Sequence, residues 1–219
     1  MKPGEGGRPH GAAATVAQEH RRGGASSRPA EALLVLDMQN GFLHRDGALY
    51  QAMGHPLHEI ERTIEANARA IRAAQDAGMP IIATRHRYRE GYVDAPALSR
   101  ERFRTMDEGA LLAGTWDADL VQDLPLEHAI LLDKVRMDAF FGTPLESLLR
   151  QLGVTSVFIG GVVTNACVET TARSAAMRDF RVTVLADCCT TATEADQDAS
   201  LSSLARFGLA DVRQGEEVF

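Results

Sequence analysis

Cys167 is the residue around which chemistry can be built. It sits in Gly160-Gly161-Val162-Val163-Thr164-Asn165-Ala166-Cys167-Val168-Glu169, after the apolar run 154–159 and at the start of a segment of helical character, 168–178. A thiol on the first turn of a helix meets the positive end of the helix dipole and N–H groups without intrahelical partners. Both are expected to lower its pKa toward thiolate and can hold a developing oxyanion. Taken alone, a cysteine after a core strand is more often a small buried hydrophobe. Two further stretches shift the balance: the apolar run 32–36 ends in Asp37, and the apolar run 129–132 ends in Asp133-Lys134. Residues just past the carboxyl ends of neighbouring parallel strands converge on one crevice. A thiol, a carboxylate and an ammonium are therefore expected to meet, which suits a nucleophile with a base to take its proton and a cation to steady the charges. A buried Asp–Lys ion pair on its own adds little net stability, so a chemical role is the better account of it.

The elements that must position these groups alternate. Apolar runs and their punctuation predict a strand over 32–36, a helix over 56–77 closed by Gly78, and a strand over 80–84. A strand over 129–133 precedes a helix announced by Thr143-Pro144 and ended at Gly153. Strand 154–159, helix 166–178, strand 182–186, helix 194–207 and a short edge strand 209–213 complete the series. Six strands alternating with helices make an α/β fold with a parallel sheet and right-handed crossovers. Between the second and third strands, residues 85–128 form a connection too long to be idle in a compact domain. Its His86, Tyr88, Tyr92, Phe103, Met106 and Trp116, the chain's only tryptophan, need something to cover, with a substrate pocket and plain loop packing both open.

Composition bounds the function. A chain of 219 residues, 45% of them hydrophobic, supports one substantial core, expected over 30–219, behind a disordered Gly/Ala/Arg-rich extension over 1–29. No apolar stretch follows Arg21-Arg22, so the extension reads as neither a secretory nor a twin-arginine signal, and no membrane partner is expected. Three cysteines, two of them vicinal at Cys188-Cys189, form no disulfide framework and no zinc spacing, which fits the cytoplasm. The extension carries five basic residues against two acidic ones, so of the net charge of −7 the remainder of the chain holds −10. Such a body does not favour nucleic acid and mildly attracts small cations.

With these motifs in place, the chain resembles the isochorismatase-like cysteine hydrolases, a superfamily that includes nicotinamidases, N-carbamoylsarcosine amidases, biuret hydrolases and ureidoacrylate amidohydrolases. The resemblance spans about residues 31–213 and rests on Leu36-Asp37-Met38-Gln39-Asn40, Asp133-Lys134 and Val163-Thr164-Asn165-Ala166-Cys167-Val168-Glu169. It implies a three-layer Rossmann-like fold with a six-stranded parallel sheet in the order 3-2-1-4-5-6. It also implies a catalytic Asp37–Lys134–Cys167 triad that hydrolyses an amide through a thioester. The oxyanion would be held by the N–H groups of Val163 and Cys167 beside a cis Val162–Val163 peptide. A homo-oligomer, dimer or tetramer, is implied as well, and no cofactor. Nicotinamidases add an Asp-x-His and a further His that bind a metal. Here Gly54-His55-Pro56-Leu57-His58 follows the first strand without that pattern, so no metal is expected.

Within the superfamily, Gly114-Thr115-Trp116-Asp117, Lys134-Val135-Arg136 and Phe140-Phe141-Gly142-Thr143-Pro144-Leu145 resemble most the ureidoacrylate amidohydrolases, which cleave a carbamoyl group from a ureido acid. Candidate substrate contacts are then Gln39, Phe42, Arg87, Tyr88, Trp116, Arg136, Phe141 and Asn165, with Arg136, Arg85 or Arg87 available to grip a carboxylate. A streptothricin-type hydrolase, which opens the lactam of a polycationic antibiotic, is the alternative that the acidic body suits. From other classes, an isochorismatase-type vinyl-ether hydrolase would lack Cys167, and a non-catalytic partner protein would have no use for the triad.

Overall fold

The sheet is built from near-continuous apolar strands because both of its faces are covered. The computed structural model describes residues 30–53, 57–102 and 109–219. The expected extension 1–29, together with His55, Phe103 and Met106, lies outside the described residues. Strands β1 (Ala30–Leu36), β2 (Ile81–His86), β3 (Ile130–Lys134), β4 (Val154–Val162), β5 (Arg181–Thr190) and β6 (Asp211–Arg213) form one sheet ordered β3-β2-β1-β4-β5-β6. All five pairings are parallel, as the alternating elements require. Along β1, Leu33 and Val35 join one buried cluster while Ala32, Leu34 and Leu36 join the other, so each of these five residues faces a core.

Helices divide between the two faces. After the short α1 (Asn40–Leu43) and α2 (Ala48–Ala52), the long α3 (Ile60–Asp76) lays Ala66, Ala70, Ile71 and Ala74 on the Leu33/Val35 side. The opposite face is covered by α5 (Leu145–Gln151), α6 (Glu169–Ala176) and α7 (Glu194–Arg206), through Leu145, Leu149, Ala172, Ala175 and Leu204. The remaining helix, α4 (Ala97–Arg102), belongs to the long connection between β2 and β3. Among the described residues, no helix is long and apolar enough to cross a membrane.

Most boundaries differ by a few residues from the sequence expectation, and three of the differences bear on the site. Helix α3 begins at Ile60, because Glu59 takes a left-handed conformation with φ of 50° that cannot continue a helix backwards. Strand β5 continues to Thr190, so Cys188 and Cys189 lie within it rather than after it. Strand β4 reaches Val162 because Gly161 permits a close crossing. Its φ is +115°, and a Cβ there would lie 2.0 Å from the Leu36 carbonyl oxygen. That approach presses the end of β4 against the end of β1 and brings the segment carrying Cys167 beside Asp37.

Candidate active site

Three strand ends deliver the three groups. Asp37 follows β1 directly with a left-handed φ of 52°, and its main-chain N–H points back to the Thr84 carbonyl of β2, at 3.2 Å. Lys134 is the last residue of β3, and Cys167 lies in a single wide helical turn, Thr164–Val168, that precedes α6. The expected helix start at 166 is thus a π-turn. The Val162–Val163 peptide ahead of it is cis.

The side chains meet as the strand ends suggested. The Lys134 ammonium lies 2.6 Å from Asp37 Oδ2 and 3.5 Å from the Cys167 sulfur, and both charged side chains are wholly buried. The ammonium also donates to the carbonyls of Arg136, at 2.9 Å, and Met137, at 3.3 Å. Thr84 Oγ1 donates to Asp37 Oδ1 at 2.7 Å and fixes the carboxylate from the other side. A threonine ending a buried strand could have signalled this support.

Burial and neighbouring charge set the protonation states. Burial works to raise the Asp37 carboxyl, but Lys134, helped by His86 and Thr84, outweighs it and holds Asp37 below the ordinary carboxylate range. Burial works to lower Lys134, while Asp37 and Cys167 raise it further, so the pair stands ionised. Here the sequence expectation for Cys167 is overturned. Burial, and then the adjacent Asp37 carboxylate, push its thiol up to about 12 against the opposing pull of Lys134. Desolvation of an enclosed sulfur outweighs the helix-end effect, and the resting group is a thiol rather than a thiolate.

The thiol opens onto a cavity of about 510 Å³ whose walls include Phe42, Tyr88, Leu98, Met137, Phe141 and Val163. Phe42, Tyr88, Arg136 and Phe141, four of the candidate substrate contacts, therefore face it. The other four do not. The Gln39 amide is consumed by the main chain, donating to the carbonyls of His86 and Ala118 and accepting from the His86 N–H at 2.7 Å, and so clamps the long connection to the strand ends. Arg87, like Arg85, is drawn to Asp133 on β3, at 3.0 and 2.7 Å respectively, which removes both as carboxylate grips. Trp116 is half exposed and stacks edge-on against His44, and Asn165 points outward to accept from the Thr191 hydroxyl at 2.8 Å. In each case a partner distant in sequence, not the residue's own position, decides where the side chain points.

His86, with Tyr88 from the same stretch, also lies on the cavity wall. Burial, with Lys134, lowers its pKa to about 4, so it is neutral near pH 7, and its Nε2 lies 2.8 Å from the Tyr88 hydroxyl. Asp37, His86 and Cys167 bring potential metal-ligand atoms within 4.8 Å of one another. The Lys134 ammonium already pairs with two of the three, so a metal would have to displace a buried cation. His58 is exposed in the turn before α3. It borders a larger cleft of about 760 Å³ that opens beyond β5, is walled by polar residues such as Glu59, Asp187 and Gln197, and contains none of the three reactive groups.

Comparison with known proteins agrees with the geometry. The chain is 36% identical over 190 residues to the ureidoacrylate amidohydrolase RutB of Klebsiella pneumoniae, covering 80% of each protein. It is 36% identical over 171 residues to the RutB of Methylorubrum extorquens, covering 72% of this chain and 68% of that one. Among solved structures, a cysteine hydrolase from Pseudomonas syringae superposes with a TM-score of 0.77 at 26% identity, covering 86% of this chain and 90% of that one. N-carbamoylsarcosine amidase from Thermoplasma acidophilum shares the fold, with a TM-score of 0.68 at 23% identity over 86% of this chain and 98% of that one. Residues 31–216 match the isochorismatase domain, and the chain belongs to the isochorismatase family.

Proposed function

We propose that this hydrolase, which acts on carbon–nitrogen bonds other than peptide bonds, is a cysteine-dependent amidohydrolase that cleaves a ureido or carbamoyl substrate through a thioester on Cys167. The observation that carries this reading is the placement of one buried ammonium 2.6 Å from a carboxylate and 3.5 Å from a thiol, with the thiol on a cavity wall. Lys134 keeps Asp37 ionised and therefore able to accept a proton. The resting thiol gives its proton to Asp37 as the sulfur attacks, so the charge on sulfur develops beside the ammonium and is consumed in the new bond.

The carbon–sulfur bond forms as the carbonyl electrons move onto oxygen, which the N–H groups of Val163 and Cys167 are assigned to hold. Collapse breaks the carbon–nitrogen bond, and the nitrogen leaves with the proton from Asp37. Water then gives a proton to Asp37 and adds to the thioester. The carbon–sulfur bond breaks, the proton returns to sulfur, and the free acid departs.

Arg136 fits the role of carboxylate grip. Its Nη1 is fixed by the carbonyls of Asp94 and Val135, both at 2.8 Å, and no described carboxylate pairs with it, although it borders the cavity. Relatives that carry the name ureidoacrylate amidohydrolase point to the same class of substrate. The three unpaired thiols suit the cytoplasm. The exposed Ile130 and Leu131 on edge strand β3 suit burial in a homo-oligomer. The test is hydrolysis of a panel of ureido acids, linear amides and lactams, read as ammonia release for the first two and, for the lactams, as the mass gain of one added water. Turnover by the wild type that vanishes in Cys167→Ala supports the reading, and turnover that persists in that variant removes it.

A further inference from the structure

The wall chemistry of the catalytic cavity narrows the substrate beyond its scissile group. Outside the reactive cluster, its charged lining among the described residues comes down to Arg136 and Asp138. Asp138 is already occupied: Oδ1 accepts from the Phe140 N–H and Oδ2 from the Ser174 hydroxyl, each at 2.8 Å. His86, whose burial beside Lys134 disfavours its charged form, offers no countercharge near pH 7. The rest of the wall is dominated by carbon, from Phe42 and Leu111 deep in the cavity to Leu98, Met137 and Phe141 near its mouth. These last three are 55%, 50% and 62% exposed, unusual for such side chains.

From this we propose that the natural substrate is an anionic amide or ureide bearing a sizeable apolar arm, with the anion on Arg136 and the arm against Leu98, Met137 and Phe141. The inference rests on the amide hydrolysis proposed above. A cavity of about 510 Å³ exceeds what a ureido acid of a few carbons would fill, and such a ligand would leave most of the apolar wall wet. A polycationic lactam would bring several ammonium groups into a space whose one carboxylate is engaged, and would lose their hydration without replacement. An apolar arm removes water from these walls at no polar cost.

Three α-N-carbamoyl amino acids carry the same scissile group and the same carboxylate: the glycine, phenylalanine and lysine derivatives. Their affinities are compared by calorimetry on Cys167→Ala, so that binding is read without turnover. The phenylalanine derivative should bind at least about tenfold more tightly than the glycine derivative, the gain expected for partial burial of one large side chain, and the lysine derivative no better than glycine. Leu98→Asn and Met137→Asn should each shrink the phenylalanine-to-glycine ratio, and both sites are exposed enough to spare the fold. Equal affinities for phenylalanine and glycine, or a preference for lysine, overturn the inference. Acylation of wild-type Cys167 is measured separately by intact-protein mass. An acyl-enzyme without arm selectivity removes this inference alone, whereas selective binding without acylation removes the thioester mechanism and leaves the arm assignment standing.

Discussion

Replacing Lys134 by methionine should give the buried Asp37 site a dependence on pH above 6.5 that the wild-type ion pair does not have. The ammonium is fully buried, 2.6 Å from Asp37, and its loss leaves that carboxyl with two uncharged side-chain partners among those described, the Thr84 hydroxyl and the Cys167 thiol. Burial, which already works to raise the carboxyl, is then opposed only weakly, and Asp37 is expected to hold a proton near neutrality. In the unfolded chain the group ionises at its ordinary value of 3.8. Keeping it protonated at pH 7 therefore costs about 3.2 pH units at about 1.4 kcal/mol each, or roughly 4 kcal/mol, within the range of about 3–5 kcal/mol for breaking a buried pair.

The sign follows from the same groups. In the wild type the folded pKa of Asp37 is depressed, so its contribution is present above 3.8 and lost only as pH falls through the lower folded value. Lys134 is raised, so its contribution is complete below its ordinary 10.5. Neither group gives a slope between pH 6.5 and 8. In Lys134→Met the unfolded state releases a proton that the folded state keeps, so stability should fall by about 2 kcal/mol across that window. Urea denaturation at several pH values measures it, and Asp37→Asn combined with Lys134→Met should restore both the flat profile and much of the stability. A single variant as stable as wild type, with a parallel pH profile, would refute the buried pair.

Other outcomes follow from the same geometry. Because His86 is lowered to about 4 and is buried, the folded state excludes a proton that the unfolded state binds, so wild-type stability should rise with pH between about 4 and 6.5 by up to roughly 3 kcal/mol; His86→Gln should flatten that rise in a urea series. Tyr88→Ala should lower kcat/KM by tenfold or more, whereas Trp116→Ala, outside the cavity, should leave it within about twofold, and steady-state kinetics on both variants decides. Activity should survive exhaustive chelation, since the Lys134 ammonium already engages Asp37 and Cys167; loss on chelation restored by Zn²⁺ or Mn²⁺ would contradict this.

The parts of the molecule that could be read in advance are those set by local pattern. Apolar runs such as 32–36 and 154–159 mark strands because a sheet covered on both faces needs no polar alternation, and the residues ending those strands must share one rim. That logic brought Asp37, Lys134 and Cys167 together. Side-chain direction and ionisation follow a different logic. Gln39 stands two residues from Asp37 yet turns to the main chain of His86 and Ala118, and Arg87 stands one residue from Tyr88 yet turns to Asp133. The Cys167 thiol rises to about 12 because of how completely the fold encloses it, a quantity no spacing encodes.

The central claim is a covalent bond between Cys167 and the acyl portion of the substrate. Rapid acid quench of wild-type enzyme with a turned-over amide, followed by peptide mapping by mass spectrometry, reads that bond directly. The account predicts an acyl mass on the peptide containing Cys167, none on the peptide containing Cys188 and Cys189, and none anywhere in Cys167→Ala. Turnover with no adduct at any quench time, together with residual activity above about a tenth of wild type in Cys167→Ala, would contradict it.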